Sequence, residues 1–198
     1  MSASTPPTDH RRAAAQRSIE ALLDAAEQLL ASSTDTSTSA IAAAAGISRV
    51  TLYSHFPTRA ELLEAVAVRA VSRGAEAIAQ ADLSSGTPAE ALDRLVGAAW
   101  RKLDLKLFAV AHSELSHDAL RRAHEQIDAP ILALIKRGRR SGAFRKDAPI
   151  SWQLATFYAL MHAAATEVNA DRLSSKEALP TLRSTIRAAL HTSDDAQP

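Results

Sequence analysis

The sequence has 198 residues, no cysteine, six glycines and a formal charge of +1 at neutral pH. The lack of thiols excludes a disulfide framework, a thiolate metal site and a cysteine nucleophile, and a near-neutral chain binds nucleic acid only through a local basic patch. Alanine is abundant, no apolar run approaches the roughly 20 residues needed to cross a bilayer, and the start MSASTPPTDHRR has no apolar centre, so the expectation is an all-α protein of the cytoplasm.

Residues 1–9 are rich in Ser, Thr and Pro without periodicity and are expected to form a disordered arm. From Arg17 onward Ile19, Leu22, Leu23, Ala26, Leu29 and Leu30 recur at spacings of three and four, the stripe of an amphipathic first helix. A polar run, Ser32 to Thr36, interrupts it, and Thr36 or Ser37 caps a second helix over about 38–45 by accepting from an unpaired amide. Gly46 closes that helix, because a left-handed terminal residue is easiest without a Cβ. Ser48 caps a third helix that runs to about Ser54 and stops ahead of Pro57. Thr58 caps a fourth, with Leu62, Leu63, Val66, Ala67, Ala70 and Val71 on its buried stripe, and Ser84-Ser85-Gly86 breaks it. Beyond Pro88 helices are expected near 88–113, 117–140, 150–170 and 176–191, with breaks at Gly142, Pro149 and the polar stretch 171–175.

The informative segment is Ser37 to Arg59, STSAIAAAAGISRVTLYSHFPTR: two short helices about a one-glycine turn, the layout of a helix-turn-helix. Ala42 and Ala45 let the helices approach, while Ile41, Ile47 and Leu52 face inward. Arg49, Val50 and Thr51 then fall in the first turn of the third helix, the part of a recognition helix that meets base edges. Residues 46–60 contain no acid.

In order, Ile41-Ala42, Ala45-Gly46-Ile47, Thr51-Leu52-Tyr53, His55-Phe56 and Arg59 resemble the signature of the TetR family of transcriptional regulators. Thr38 and Val50 depart from the residues usual there. The resemblance implies that Arg49 and Thr51 read bases, that Val50 meets a thymine methyl, and that Tyr53, His55 and Arg59 hold phosphates, with Ser37 and Ser39 adding contacts at the opening of the second helix. It implies three regions: the arm at 1–9, a helix-turn-helix DNA-binding unit at 10–57, and a ligand-binding and dimerisation unit at 58–193.

For that last unit the resemblance implies a pocket among the helices, for which Trp100, Phe108, His112, Tyr158 and His162 are the expected lining. It also implies that the last two helices, bearing Leu154, Phe157, Met161, Leu179, Leu182, Ile186 and Leu190, pair with a second copy. The implied output is a homodimer that grips pseudo-palindromic double-stranded operator DNA and is released by a small-molecule effector. No cofactor is expected. His112, His117 and His124 with Glu114 and Glu125 lack the convergent spacing of a metal site. The cluster Lys136, Arg137, Arg139, Arg140, Arg145 and Lys146 reads as a solvated face that complements a helix C-terminus. No nucleophile elbow, phosphate loop or paired-carboxylate motif appears, so the chain does not read as an enzyme. Two other readings stay open: an architectural DNA binder, which would lack an accessible cavity, and a ligand-binding protein whose head no longer binds DNA.

Overall fold

Pro7 opens the first helix of the protein. The structure, a computed structural model, describes residues 7–33 and 36–191, and α1 spans Pro7–Ser32. Residues 1–6 of the expected arm lie outside the described residues, but 7–9 belong to α1. Proline is tolerated in a first turn because the amide it lacks would have no intrahelical partner there. The remaining helices are α2 (Thr38–Ala44), α3 (Arg49–His55), α4 (Arg59–Gln80), α5 (Pro88–Lys102), α6 (Leu105–Glu114), α7 (His117–Ser141), α8 (Ile150–Asn169) and α9 (Ser175–Leu190). Among the described residues the fold is all-α, with one isolated bridge between Phe144 and His191.

The single helix expected over 88–113 is two. Leu103 is extended at the end of α5, and the Asp104 side chain accepts from the amides of Lys106 and Leu107 at 3.0 Å, which starts α6 afresh. A carboxylate that satisfies two unpaired amides competes successfully with continuation of the helix.

Two apolar clusters organise the helices. The first joins Leu22, Ala26 and Leu30 of α1, Ile41 of α2, Leu52 of α3 and Leu62, Leu63 and Val66 of α4 to Leu107, Val110 and Ala111 of α6 and Ala119 and Ala123 of α7. The second joins Ile78 of α4, Leu92 and Leu95 of α5, Ile131 and Leu134 of α7, Phe157 and Met161 of α8, and Leu182, Ile186 and Leu190 of α9. The first core therefore crosses the expected boundary at 57: α6 and the start of α7 pack with the helix-turn-helix.

Two members of the expected solvated basic face, Arg137 and Arg139, are structural, while Lys136, Arg140 and Lys146 are exposed. Arg137 donates to the carbonyls of Leu83, Ser84 and Gly86, each at 2.8 Å, and Arg94 donates to those of Ala81, Asp82 and Ser85, so two guanidinium groups hold the α4–α5 turn. Arg139 reaches the carbonyls of Lys146 and Ala148 and the buried Gln153 side chain. Gly138 has a packing role, since a Cβ there would come within 2.1 Å of the fully buried Phe144 ring.

Candidate functional site

The turn between α2 and α3 is built from three local devices. The Ser37 hydroxyl accepts from Ala40 N at 3.1 Å and starts α2. Gly46, at φ +67°, ends it: Ile47 N donates to Ala42 O at 2.9 Å and Gly46 N to Ala43 O at 3.1 Å, the paired bonds of a Schellman motif. Ser48 then accepts from Thr51 N at 3.1 Å and starts α3. Ile41 and Leu52 are buried beneath the turn.

This leaves Arg49, Val50 and Tyr53 outward on α3, with Val50 81% and Tyr53 40% exposed. The Tyr53 hydroxyl lies 3.2 Å from Thr38 Oγ1, a bond that ties α3 to α2. Thr38 thus anchors the second helix through a hydroxyl. That bond, followed by the nearby Arg49 guanidinium, holds the Tyr53 phenol below its ordinary pKa. Thr51 is half-buried with its hydroxyl 2.9 Å from Ser48 Oγ, His55 is half-buried in the last turn of α3, Ser39 is half-buried, and the Ser37 hydroxyl is occupied by its cap.

Arg59, expected to hold a phosphate, is turned inward instead. Its Nε and Nη2 meet the two Glu114 carboxylate oxygens at 2.6 and 2.7 Å, and Nη1 donates to Thr36 O. A forked guanidinium matches a carboxylate in this bidentate way. The hydrogen bond from Arg59 and its charge hold the Glu114 carboxyl below its usual pKa. The pair joins the start of α4 and the α1–α2 connection to the last residue of α6.

Behind α6 lies a cavity of about 120 Å³ between α4, α5, α6, α7 and α8. Phe108, His112, Tyr158 and His162 line it, and Trp100 does not. On α5 it is Ala99, Lys102 and Leu103 that face the cavity, while Trp100, rotated about 100° from Ala99 along the helix, packs half-buried against the second apolar cluster. The rings form one group: Phe108–His112 centroids are 3.9 Å apart, His112–His162 4.4 Å, His124–Tyr158 4.6 Å and His124–His162 5.4 Å. Desolvation lowers the pKa of all three histidines, most for His162, which burial and then the neighbouring His112 and His124 push down to about 3. The Tyr158 hydroxyl donates to Asp128 Oδ1 at 2.6 Å, and burial followed by that carboxylate raises its pKa.

His124 is a cavity-lining residue that sequence reasoning misses. Its spacing from His112 and His117 argues against a metal site, and its partners Tyr158 and His162 come from α8 and leave no local signal. Leu107, Phe157 and Met161 also line the cavity. Among the described residues no group of three or more His, Cys, Asp or Glu is placed to hold a metal ion. The cavity also separates this chain from the architectural reading, which required none.

Of the apolar residues expected to pair α8 and α9 with a second copy, Phe157, Met161, Leu182, Ile186 and Leu190 are buried in the subunit's own second cluster, and Leu154 and Leu179 pack half-buried against it. Their stripe is needed inside. The outward stripe of α8 is Trp152, Ala155, Ala159, Ala163 and Thr166, with Trp152 66% exposed. Beside it α9 exposes Pro180, Thr181, Ser184 and Ala188. No helix among the described residues is long and apolar enough to cross a membrane.

Comparison with known proteins bears on both parts of the site. The family model for bacterial regulatory proteins of the tetR family matches residues 22–66, from the buried face of α1 to the first turns of α4. Over 151 residues the chain is 32% identical to the HTH-type transcriptional repressor LfrR of Mycolicibacterium smegmatis, covering 76% of this chain and 78% of that protein. The crystal structure of LfrR from Mycobacterium smegmatis in complex with proflavine is 28% identical, with a TM-score of 0.65 over 91% of this chain and 99% of that one. A tetR-family transcription regulator from Shewanella sp. PV-4 shares the fold, with a TM-score of 0.71 at 24% identity over 89% of this chain and 99% of that one.

Proposed function

The chain belongs to the TetR family of bacterial transcriptional regulators, and we propose that it acts as a repressor. In this reading a cytoplasmic homodimer holds a pseudo-palindromic operator through two copies of α3 and lets go when a small aromatic molecule enters the cavity. Arg49 reads a base edge, Val50 meets a thymine methyl and Tyr53 donates to a phosphate, because these side chains stand exposed on α3. Arg59 is left out of the contact set, since its guanidinium is committed to Glu114 and Thr36.

One observation carries the reading: α6 belongs to both sites. Phe108 and His112 on α6 form a wall of the cavity, and Glu114 at its end holds Arg59 at the start of α4. A ligand that displaces the wall acts on the helix that fixes the head, so two arrangements of α6 would have different spacings of the recognition helices. Such coupling is typically worth about 1–3 kcal/mol. The complex of LfrR with proflavine favours a flat aromatic effector here. The outward faces of α8 and α9 support dimerisation, with small side chains that permit close approach around the exposed Trp152.

The test is selection of bound sequences from a random DNA pool by the purified protein, with light scattering on the same sample. A dimer should recover two half-sites about 34 Å apart, or near a multiple of that spacing. On the recovered site Arg49→Ala should cost about 1–3 kcal/mol and relax one base position, and proflavine should release the labelled DNA. A folded protein that enriches no sequence would refute the reading.

A further inference from the structure

Proton positions in the cavity follow from its hydrogen bonds. The backbone oxygens of Leu120 and Phe108 can only accept, so His124 Nδ1 at 2.7 Å and His112 Nδ1 at 3.3 Å carry the hydrogens. A neutral imidazole has one N–H, which leaves Nε2 of both rings as a lone-pair acceptor. His162 Nδ1 lies 3.2 Å from His112 Nε2 and must donate to it, so His162 Nε2 is an acceptor as well. Burial keeps all three rings neutral near pH 7. Tyr158 spends its hydrogen on Asp128, which leaves its phenolic oxygen only lone pairs to offer.

His124 Nε2 and His162 Nε2 receive no hydrogen bond from the described residues, and both residues line the cavity. The side-chain donors of this aromatic wall are therefore spent, and its open positions are acceptors, while the Lys102 ammonium lines the same cavity from α5. An acceptor-only ligand seated against the aromatic wall would face lone pairs with lone pairs.

We propose that the cavity selects a flat aromatic molecule whose N–H or O–H groups are received by His124 Nε2 and His162 Nε2. The inference rests on the reading of this cavity as the effector site and deepens it by naming the polarity of the ligand.

Calorimetric titration of the full chain near neutral pH, without DNA, tests this with two bicyclic cations of similar size. They are 4-aminoquinoline, which has N–H donors, and 1-methylquinolinium, which has none. The aminoquinoline should bind about tenfold more tightly than the methylquinolinium, the worth of one buried hydrogen bond. His124→Phe and His162→Phe should each bring the two cations toward equal affinity, with thermal unfolding as the check that they fold. Should either variant not fold, the ranking of the two probes on the unaltered chain decides. Methylquinolinium binding as tightly as aminoquinoline, or no binding by either, would overturn the proposal. Operator selection is read separately. Donor-dependent binding by a protein that enriches no DNA would sink the repressor reading alone, and a repressor indifferent to these donors would sink this inference alone.

Discussion

His162 sits 4.4 Å from the His112 ring and 5.4 Å from that of His124, with Tyr158 one turn behind it on the same helix. The titratable groups that line the cavity with it are His112 from α6, His124 from α7, Tyr158 from α8, Lys102 and Asp104, and Asp128 lies behind the Tyr158 hydroxyl. Its folded pKa of about 3 lies below the unfolded value of 6.5, so the unfolded chain binds the extra proton over that interval. Stability from burying the neutral ring is complete above about pH 6.5 and falls away as the pH drops toward 3. By pH 5 the loss should reach about 1–2 kcal/mol. His112 and His124, shifted in the same direction, add to it. Urea denaturation of the unaltered chain and of His162→Phe at pH 7 and 5 checks this. The variant should lose less stability between the two, and equal losses would mean that the ring is already hydrated or charged in the fold.

At the scale of elements, α6 begins at an Asp104 cap beside the cavity rim and ends at the Glu114 carboxylate that grips Arg59. The two partners are 30% and 32% exposed, so their pair is worth no more than about 1 kcal/mol. Its significance is positional. Arg59→Ala and Glu114→Gln should each leave the salt dependence of operator binding unchanged, because no phosphate contact is lost. Each should also weaken effector-driven release by up to about fivefold, with the double variant no worse than either single one. Fluorescence anisotropy across a salt series measures both, and a slope flattened by about one for Arg59→Ala would return Arg59 to the phosphate. Legibility in the sequence followed the range of the determining contacts. Ser37, Gly46, Ser48 and Thr58 act within three or four residues of themselves, and the helices they bound were readable from spacing. The α5–α6 break was not, since it uses neither Gly nor Pro and depends on an aspartate that is equally at home on an exposed helix face. The roles of Arg59, Trp100 and His124 depend on partners dozens of residues away, which no local pattern encodes.

For the whole molecule, the decisive surface is the outer side of α8 and α9. Apart from Trp152, the large apolar residues of these helices are used within the subunit, and in the proposed dimer the exposed alanines around Trp152 meet the partner. Ala159→Arg sets a charge in the middle of that stripe on an exposed position, so it should leave the fold intact and give a monomer in light scattering at micromolar concentration. Operator affinity should collapse with it, since one head then grips one half-site. A variant that remains dimeric would move the interface elsewhere. The same economy of composition has an experimental use. The sequence contains two methionines, Met1 and Met161, and the second is a buried part of the cavity wall. A chain grown with carbon-13 methyl methionine carries a label at Met161, on the cavity wall that Phe157 and His162 also line, where aromatic shielding makes a methyl resonance sensitive to small displacements. The protein thus holds its own spectroscopic probe of cavity occupancy, readable with operator present or absent and without adding a single foreign atom to its surface.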